Sequence, residues 1–250
     1  TIDMDLRLDG WLWTASSIAQ EGAWERAVAM TAAVGENRFR PLTAEDIKQR
    51  TGSSASYAGV VETNAGTVHP AKLAIGLRNL ALARGIVIHE RSPVLDIEPG
   101  RTCTVRTAQG TVQAEKVVLA SNAWLSALPE LRRHLYVVGS EVIATAAVPE
   151  LLDSIGWRDG AAICDSQAQV LYYQRTTTGR VVFGRGSGNV AFSGNCGASF
   201  NRSPEHGRDN VRELHRVYPA LRGVPVEYDW AGPIDCVPEH VPVFDHLRGH

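Results

Sequence analysis

The chain has 250 residues, of which 44% are hydrophobic and 21% are charged, and this is the composition of an ordinary globular protein. Such a composition excludes a largely disordered chain, a collagen and a coiled coil. Twenty-five Lys and Arg residues stand against 27 Asp and Glu residues, which gives a formal net charge of −2. The charge therefore gives no reason to expect nucleic acid or an anionic membrane as a partner.

The cysteines and the apolar runs bear on the expected compartment and on membrane insertion. The four cysteines are Cys103, Cys164, Cys196 and Cys236. Their spacing contains no C-x-x-C pair and no zinc-ribbon pattern, so we expect free thiols in a reducing, cytoplasmic compartment. The longest apolar runs are far shorter than the roughly 20 residues of a membrane-spanning helix. The chain opens on Thr1 and closes directly after an apolar stretch, and we expect it to be an internal piece of a longer protein.

In the first sixty residues the pattern predicts one strand followed by two helices. Residues 11–13 (Trp-Leu-Trp) favour a β-strand. Apolar residues between positions 17 and 34 recur at helical spacing. Thr43 is typical of a helix N-cap because an acidic residue follows three positions later, and Gly52 is typical of the stop.

The middle of the chain predicts a helix, a strand, a hairpin and a buried strand. Pro70 suits the first turn of a helix, and Gly85 suits the position just after its end. A strand is expected at residues 86–90, and short strands that include a hairpin are expected between residues 94 and 114. The continuous apolar run at residues 117–120 predicts a strand that is buried on both faces.

The final part of the chain mixes strands with one helix. Residues 170–175 and 181–184 flank Thr178-Gly179, which is a hairpin signal. A helical stripe between residues 211 and 221 ends near a proline, and residues 228–230 favour a strand.

Residues 186–191 match the dinucleotide fingerprint G-x-G-x-x-A. In a working fingerprint the phosphate rests on the N-terminus of a helix that begins inside it. The residues that follow here are rich in Gly, Ser and Asn and favour no helix. We therefore interpret residues 186–197 as a surface loop.

A metal site is a weaker hypothesis. The residues that would form it are His240, Asp245, His246 and His250, and a metal-dependent hydrolase would use His240 and His246. Their irregular spacing favours solvated or core-edge side chains. No G-x-S-x-G sequence occurs, so nothing indicates a serine hydrolase.

Residues 117–124 (VVLASNAW) end the predicted buried strand in small residues followed by an aromatic one. Small side chains at the carboxyl end of a central strand let a ligand approach the backbone closely. A tight turn that anchors Trp124 in the core would give the same pattern. Spacing alone leaves both interpretations open.

A set of short motifs follows in order along the chain: Ala65 to Pro70, Gly76-Leu77, Gly85-Ile86, Val94 to Ile97, Gly110-x-Val112-x-Ala114 and Val117 to Trp124. Together they resemble the FAD-dependent amine and amino-acid oxidoreductases, the family of glycine, sarcosine and D-amino-acid oxidases. Gly10 to Trp13 and the later Trp230 to Asp235, with Pro238 and residues 242–244, look most like the γ-glutamylputrescine-oxidase-like branch.

The resemblance implies a fold of the α/β and α+β classes with two interleaved domains. One is an FAD-binding Rossmann-like domain, incomplete here, to which residues 61–137 and 227–250 would belong. The other is a substrate domain built on a mixed or antiparallel sheet with helices, formed by residues 1–60 and 138–226.

The resemblance also implies FAD as cofactor and places residues against it. Val94 would lie on the adenine side. The residues that would line the pyrophosphate and ribose are Ala120, Ser121, Asn122, Ala123 and Trp124. The implied reaction is oxidation of the C–N bond of a small amine or amino acid by hydride transfer to FAD.

An arginine is the usual anchor for a substrate carboxylate, because its planar fork binds both oxygens. Arg175 and Arg185 are the candidates, since they lie on or just past the predicted hairpin. Tyr173 shares a strand face with Arg175 because side chains alternate along a strand. A solvated arginine and a tyrosine in the core are the alternatives.

The sequence also departs from the family pattern. The G-x-G-x-x-G phosphate loop and the second Gly-rich flavin segment of the family do not occur in it, and Val237-Pro238-Glu239 replaces a frequent Thr-x-Asp. The alternative hypothesis is therefore a folded, non-catalytic remnant that binds no FAD, because a dinucleotide needs those backbone N–H groups. The colour of the purified protein distinguishes the two.

Overall fold

The computed structural model describes residues 1–191, 196–197, 200, 204–239 and 241–246. The strands in these ranges are β1 (Trp11–Ala15), β2 (Phe39–Thr43), β3 (Ala58–Glu62), β4 (Val94–Glu98), β5 (Cys103–Thr107), β6 (Gly110–Ala114), β7 (Tyr136–Thr145), β8 (Ala162–Cys164), β9 (Leu171–Arg175), β10 (Val181–Val190) and β11 (Val226–Cys236). The α-helices are α1 (Glu25–Ala33), α2 (Ala44–Thr51), α3 (Pro70–Ala83), α4 (Pro129–Arg132), α5 (Pro149–Ser154) and α6 (Pro204–Val217).

The strands form two separate sheets. An eight-stranded sheet has the order β11-β7-β10-β9-β8-β1-β3-β2, and a three-stranded sheet has the order β4-β5-β6. Pairing in the large sheet is antiparallel except between β1 and β8, which run parallel. This mixed sheet with helices confirms the predicted fold class. Pro233 lies in β11, where an edge strand tolerates a residue without an N–H donor.

One face of the large sheet is covered by helices and contains the main core. Strand side chains alternate between faces, and on this face Leu12, Ile143 and Phe183 are almost completely buried. They pack with Leu152 of α5 and Leu214 of α6 in a single hydrophobic cluster. We call this side the helix-covered face and the other side the open face.

An aromatic group lies at the centre of the helix-covered face. Trp157 and Tyr218 stack with ring centroids 4.4 Å apart and planes 4° apart. The edge of Tyr173 meets Trp157 at 6.2 Å, and Tyr173 stacks on Phe183 at 5.2 Å. These large rings fix the distance between the sheet and the segments that cover it.

The local signals for helix ends are confirmed. Thr43 caps α2 in a reciprocal capping box with Asp46, and Gly52 ends the helix with φ of 69°. Pro70 occupies the first turn of α3, and Gly85 follows its end with φ of 80°. The predicted hairpins β5–β6 and β9–β10 also form.

The strands predicted at residues 86–90 and 117–120 are wrong. Neither segment pairs with another strand in the described ranges. Val87 is 74% exposed and Val118 is 86% exposed. An apolar, β-branched run favours a buried strand only where neighbouring strands supply hydrogen bonds and cover both faces, and these residues have no such neighbours here.

The loop predicted at residues 186–197 is also wrong in its first part. β10 continues to Val190 and pairs with β7, with a register shift between Gly186 and Val190 that marks a bulge. Pairing with β7 supplies the backbone hydrogen bonds that the glycine-rich sequence does not itself favour. The G-x-G-x-x-A match thus starts within a strand, and residues 192–195 lie outside the described residues.

No helix in the described part of the chain is long and apolar enough to cross a membrane.

Candidate active site

The open face of the large sheet carries the candidate active site at its centre. Because directly paired residues of antiparallel strands share a face, Tyr172 of β9, Gly184 of β10 and Val142 of β7 lie together on it. Trp230 of β11 is paired with Val142 and belongs to the same face, where it is 44% exposed. This face is therefore a partly apolar and accessible surface on a rigid sheet.

Tyr172 spans three strands of this face. A Cβ atom at Gly184 would overlap the Tyr172 ring, so the absence of a side chain there is what lets the ring lie across β10. The hydroxyl reaches β7, where it shares a hydrogen bond with Ser140 Oγ and donates to the carbonyl of Glu141 at 3.4 Å. The result is a positioned pair of hydroxyl groups on an otherwise apolar surface.

Electrostatics keep this tyrosine protonated. Burial raises the pKa of Tyr172, the hydrogen bond with Ser140 opposes that change, and the charge of Glu141 adds to it. The hydroxyl is consequently a neutral donor and acceptor at neutral pH. Burial likewise raises the pKa of the neighbouring Cys164, so this sulfur is a thiol rather than a nucleophilic thiolate.

An aromatic surface continues the open face toward its far edge. Trp13 is paired with Cys164, and Cys164 with Tyr172, so the three side chains follow one another across β1, β8 and β9. Trp11 stacks on Trp13 with centroids 5.4 Å apart, and Trp13 Nε1 donates to a serine hydroxyl at 2.9 Å. Glu62 is paired with Trp11 and brings a carboxylate to the same face.

The substrate residues predicted from the sequence lie on the opposite side. Tyr173 is 6% exposed within the aromatic core, and burial raises its pKa far above the usual range. Arg175 forms an ion pair with Asp153 at 2.7 Å. Arg185 is 3.4 Å from Asp209. Tyr173 and Arg175 share a strand face, as predicted, and this is the helix-covered face. Their part in substrate binding stays a prediction.

The two faces of β9 are separated by a single residue along the strand. Side chains in a strand alternate with period two, so the choice between Tyr172 and Tyr173 decides which tyrosine faces the core. The apolar alternation of Leu171 with Tyr173, opposite Val181 and Phe183, is the sequence signal that would have assigned Tyr173 to the core.

Of the residues predicted to contact the cofactor, Val94 lies in β4, and the other five form a turn that is exposed except at Ala123. Val94 is 53% exposed at the start of β4, and Trp124 is 56% exposed. Ala120 and Ser121 are exposed as well, and Asn122 adopts a left-handed φ of 52°. The alternative in which Trp124 anchors the core is excluded by its exposure.

Within that turn, Asn122 and Ala123 hold the backbone in place. Asn122 Oδ1 accepts hydrogen bonds from the N–H of Ala123 at 2.5 Å and of Asp235 at 3.2 Å. Ala123 is fully buried in a small cluster with Val137. Small exposed side chains on a fixed backbone fit a nucleotide that approaches the main chain, while Ala123 itself supports the turn from within.

No group of three or more His, Cys, Asp or Glu residues that could hold a metal ion occurs among the described residues. Asp245 and His246 are exposed. His240 and His250, which the metal hypothesis also needs, lie outside the described residues.

Two solved structures illustrate how widely this architecture matches known folds. Glycine oxidase from Geobacillus kaustophilus aligns with a TM-score of 0.77 and 21% identity, over 96% of this chain and 62% of that chain. L-proline dehydrogenase from P. horikoshii aligns with a TM-score of 0.80 and 16% identity, over 97% of this chain and 64% of that chain. At these identities the likeness shows the fold alone.

The sequence comparison identifies the family. The model of the DAO family, described as FAD dependent oxidoreductase, matches residues 1–250, and the chain belongs to this family. The γ-glutamylputrescine oxidoreductase of Escherichia coli K12 is 28% identical over 249 residues, which are 98% of this chain and 56% of that protein. The probable oxidoreductase OrdL of Haemophilus influenzae is 28% identical over 214 residues, 82% of this chain and 46% of that protein. The chain spans about half the length of the curated relatives it matches.

Proposed function

We propose that the protein oxidises the C–N bond of a small amine or amino acid, and that this chain supplies the substrate face. The single observation that carries the proposal is the open face, where the hydroxyls of Tyr172 and Ser140 are held among aromatic and apolar side chains. A face of this kind binds and orients a small polar molecule while its apolar surroundings exclude water.

We propose the following division of the chain. Residues 1–60 and 138–226 form the substrate domain, and residues 61–137 contribute to the FAD domain together with the end of the chain. The pairing of β11 with β7 as far as Cys236 supports a return to the FAD domain after this residue, whereas the sequence alone predicts it at residue 227. The separate three-stranded sheet at residues 94–114 supports a second domain.

The turn at residues 120–124, together with Val94, would hold part of the FAD. FAD, when bound, supplies the acceptor for the hydride equivalent of the substrate C–H bond. Exposed apolar side chains of residues 86–88 and Val118 fit the proposal that further chain covers this side, because such surfaces are normally buried in a complete domain.

The aromatic surface and Glu62 favour an amine over a neutral substrate. A protonated amine is attracted to the faces of tryptophan rings and to a carboxylate. The relatives named γ-glutamylputrescine oxidoreductase and glycine oxidase act, by their names, on amine and amino-acid compounds. We therefore propose that the positive end of a substrate or its distal amine lies toward Trp11 and Trp13.

The first test separates the enzyme from the non-catalytic remnant. The full-length protein that contains this chain is expected to purify with a flavin absorption spectrum, and anaerobic addition of a substrate amine is expected to bleach it. Glycine, sarcosine, putrescine and its γ-glutamyl derivative are suitable first probes. A protein that stays colourless when FAD is added would support the remnant.

The second test compares two adjacent tyrosines. Tyr172→Phe is expected to raise the KM for the amine about fivefold to tenfold, because one hydrogen bond to a bound polar group contributes about 1 kcal/mol. Tyr173→Phe removes a hydroxyl on the helix-covered face and is expected to leave KM unchanged. The pKa of Tyr172 is raised above 10, the ordinary pKa of a tyrosine. The KM of the wild type should therefore show no tyrosine ionisation between pH 7 and pH 10.

Steady-state kinetics of both variants decides between the faces. If Tyr173→Phe changes KM and Tyr172→Phe does not, the substrate binds on the helix-covered face and the proposed site is wrong.

A further inference from the structure

A cavity that contains three arginines lies away from the open face. It has a volume of about 370 Å³, and its lining residues are Arg7, Asp153, Arg158, Arg175, Thr176 and Thr177. Arg175 projects from the helix-covered face of β9, whereas Tyr172 projects from the open face, so the sheet separates this cavity from the candidate active site.

Two of these arginines are held in place before any ligand binds. Arg175 donates to Asp153 at 2.7 Å and to the carbonyl of Trp157, and only 13% of its side chain is exposed. Arg7 forms an ion pair with Asp9 at 2.9 Å, and its guanidinium lies where a Cβ at position 160 would be, so a side chain at Gly160 would displace it. Guanidinium groups that are already ordered lose little side-chain entropy when they bind.

The third arginine leaves the cavity with excess positive charge. Arg158 is exposed and has no ion pair within the described ranges. Among the described residues, Asp9 and Asp153 are the carboxylates that pair with these guanidinium groups, because the nearby Asp5 is paired with Lys72 at 2.6 Å. Converging like charges repel one another unless an anion lies between them.

We propose that this cavity binds a small oxyanion through a phosphate or carboxylate group, at a site distinct from the substrate face. The planar forks of Arg7, Arg158 and Arg175 match two oxygens of such a group. Thr176 and Thr177 also line the cavity. The ligand is a metabolite or effector that carries one such group, and it does not need to be the molecule that is oxidised.

The test is titration calorimetry of the full-length protein with inorganic phosphate and, separately, with malonate, at physiological ionic strength. Saturable binding of at least one of them is expected, and Arg158→Ala is expected to weaken it about tenfold or more. Arg158→Lys should retain part of the affinity. Arg101→Ala removes an exposed arginine in the turn between β4 and β5 and should have no effect.

The result with each probe distinguishes a phosphate ligand from a carboxylate ligand. Some results would overturn the proposal. Binding of phosphate alone assigns a phosphate group, binding of malonate alone assigns a carboxylate, and binding of both assigns a general oxyanion site. Absence of saturable binding of either probe would overturn the proposal, as would equal losses in Arg158→Ala and Arg101→Ala. Flavin content and amine oxidation should be the same in all variants, so failure here is distinguishable from failure of the proposed enzyme activity.

Discussion

Replacing Trp157 with alanine is expected to lower the free energy of unfolding by about 3–5 kcal/mol. The side chain is completely buried, stacks on Tyr218 and meets the edge of Tyr173. Its backbone N–H donates to the carbonyl of Leu152 at 2.9 Å, and its carbonyl accepts from Arg175. Alanine would leave a large cavity between the sheet and α5 that the surrounding rings cannot fill.

Urea unfolding followed by circular dichroism measures this loss. Tyr218→Phe is the matched control, because it keeps the stacked ring and removes a buried hydroxyl that has no hydrogen-bond partner among the described residues. The control should be as stable as the wild type or slightly more so. A change of less than about 1 kcal/mol for Trp157→Ala would show that this residue does not hold the core together.

Replacing Gly184 with alanine is expected to lower kcat/KM for the amine about tenfold to 100-fold, because small displacements of a positioning group have effects of this order. A Cβ at this position overlaps the Tyr172 ring, so the ring must leave its place across β10. The hydroxyl then loses Ser140 and no longer stands at the centre of the open face. Gly184 has no left-handed φ, so the glycine is needed for space rather than for backbone conformation.

Gly186→Ala provides the control on the same strand and the same face. The nearest atom to a Cβ there is the backbone N of Val170 at 3.8 Å, which is an ordinary contact. This variant should keep wild-type kinetics, and both variants should keep bound flavin. Equal activity of Gly184→Ala and Gly186→Ala would contradict the role given to the position of Tyr172.

Tyr172 and Tyr173 show how much of the site can be predicted from residue types alone. The hairpin, the two tyrosines and the nearby arginines are all evident in the sequence, and they indicate a polar site on a strand. They do not show that Tyr173, the tyrosine that shares a face with Arg175, lies in the helix-covered core. Which face is covered depends on α5, α6 and Trp157, and these are brought to β9 only by the tertiary fold.

Two segments without strand partners show that a local pattern does not determine which segments pair in a sheet. Residues 86–90 and 117–120 have the composition of buried strands, but a strand needs a partner, and the described part of the chain provides none. Conversely, the glycine-rich residues 186–190 form a strand because β7 pairs with them at Gly186 and at Val190, on either side of a bulge.

The sequence by itself determined the features that depend on a few neighbouring residues. The capping box of Thr43, the left-handed Gly52, the helix that begins at Pro70 and the hairpin turns all arise from local hydrogen bonds and backbone sterics, and the ordered motifs determined the family. Only the tertiary structure decided which side of β9 is open, which extended segments become strands and where Arg7, Arg158 and Arg175 meet. These outcomes depend on contacts between residues far apart in the chain, whose energies no local pattern contains.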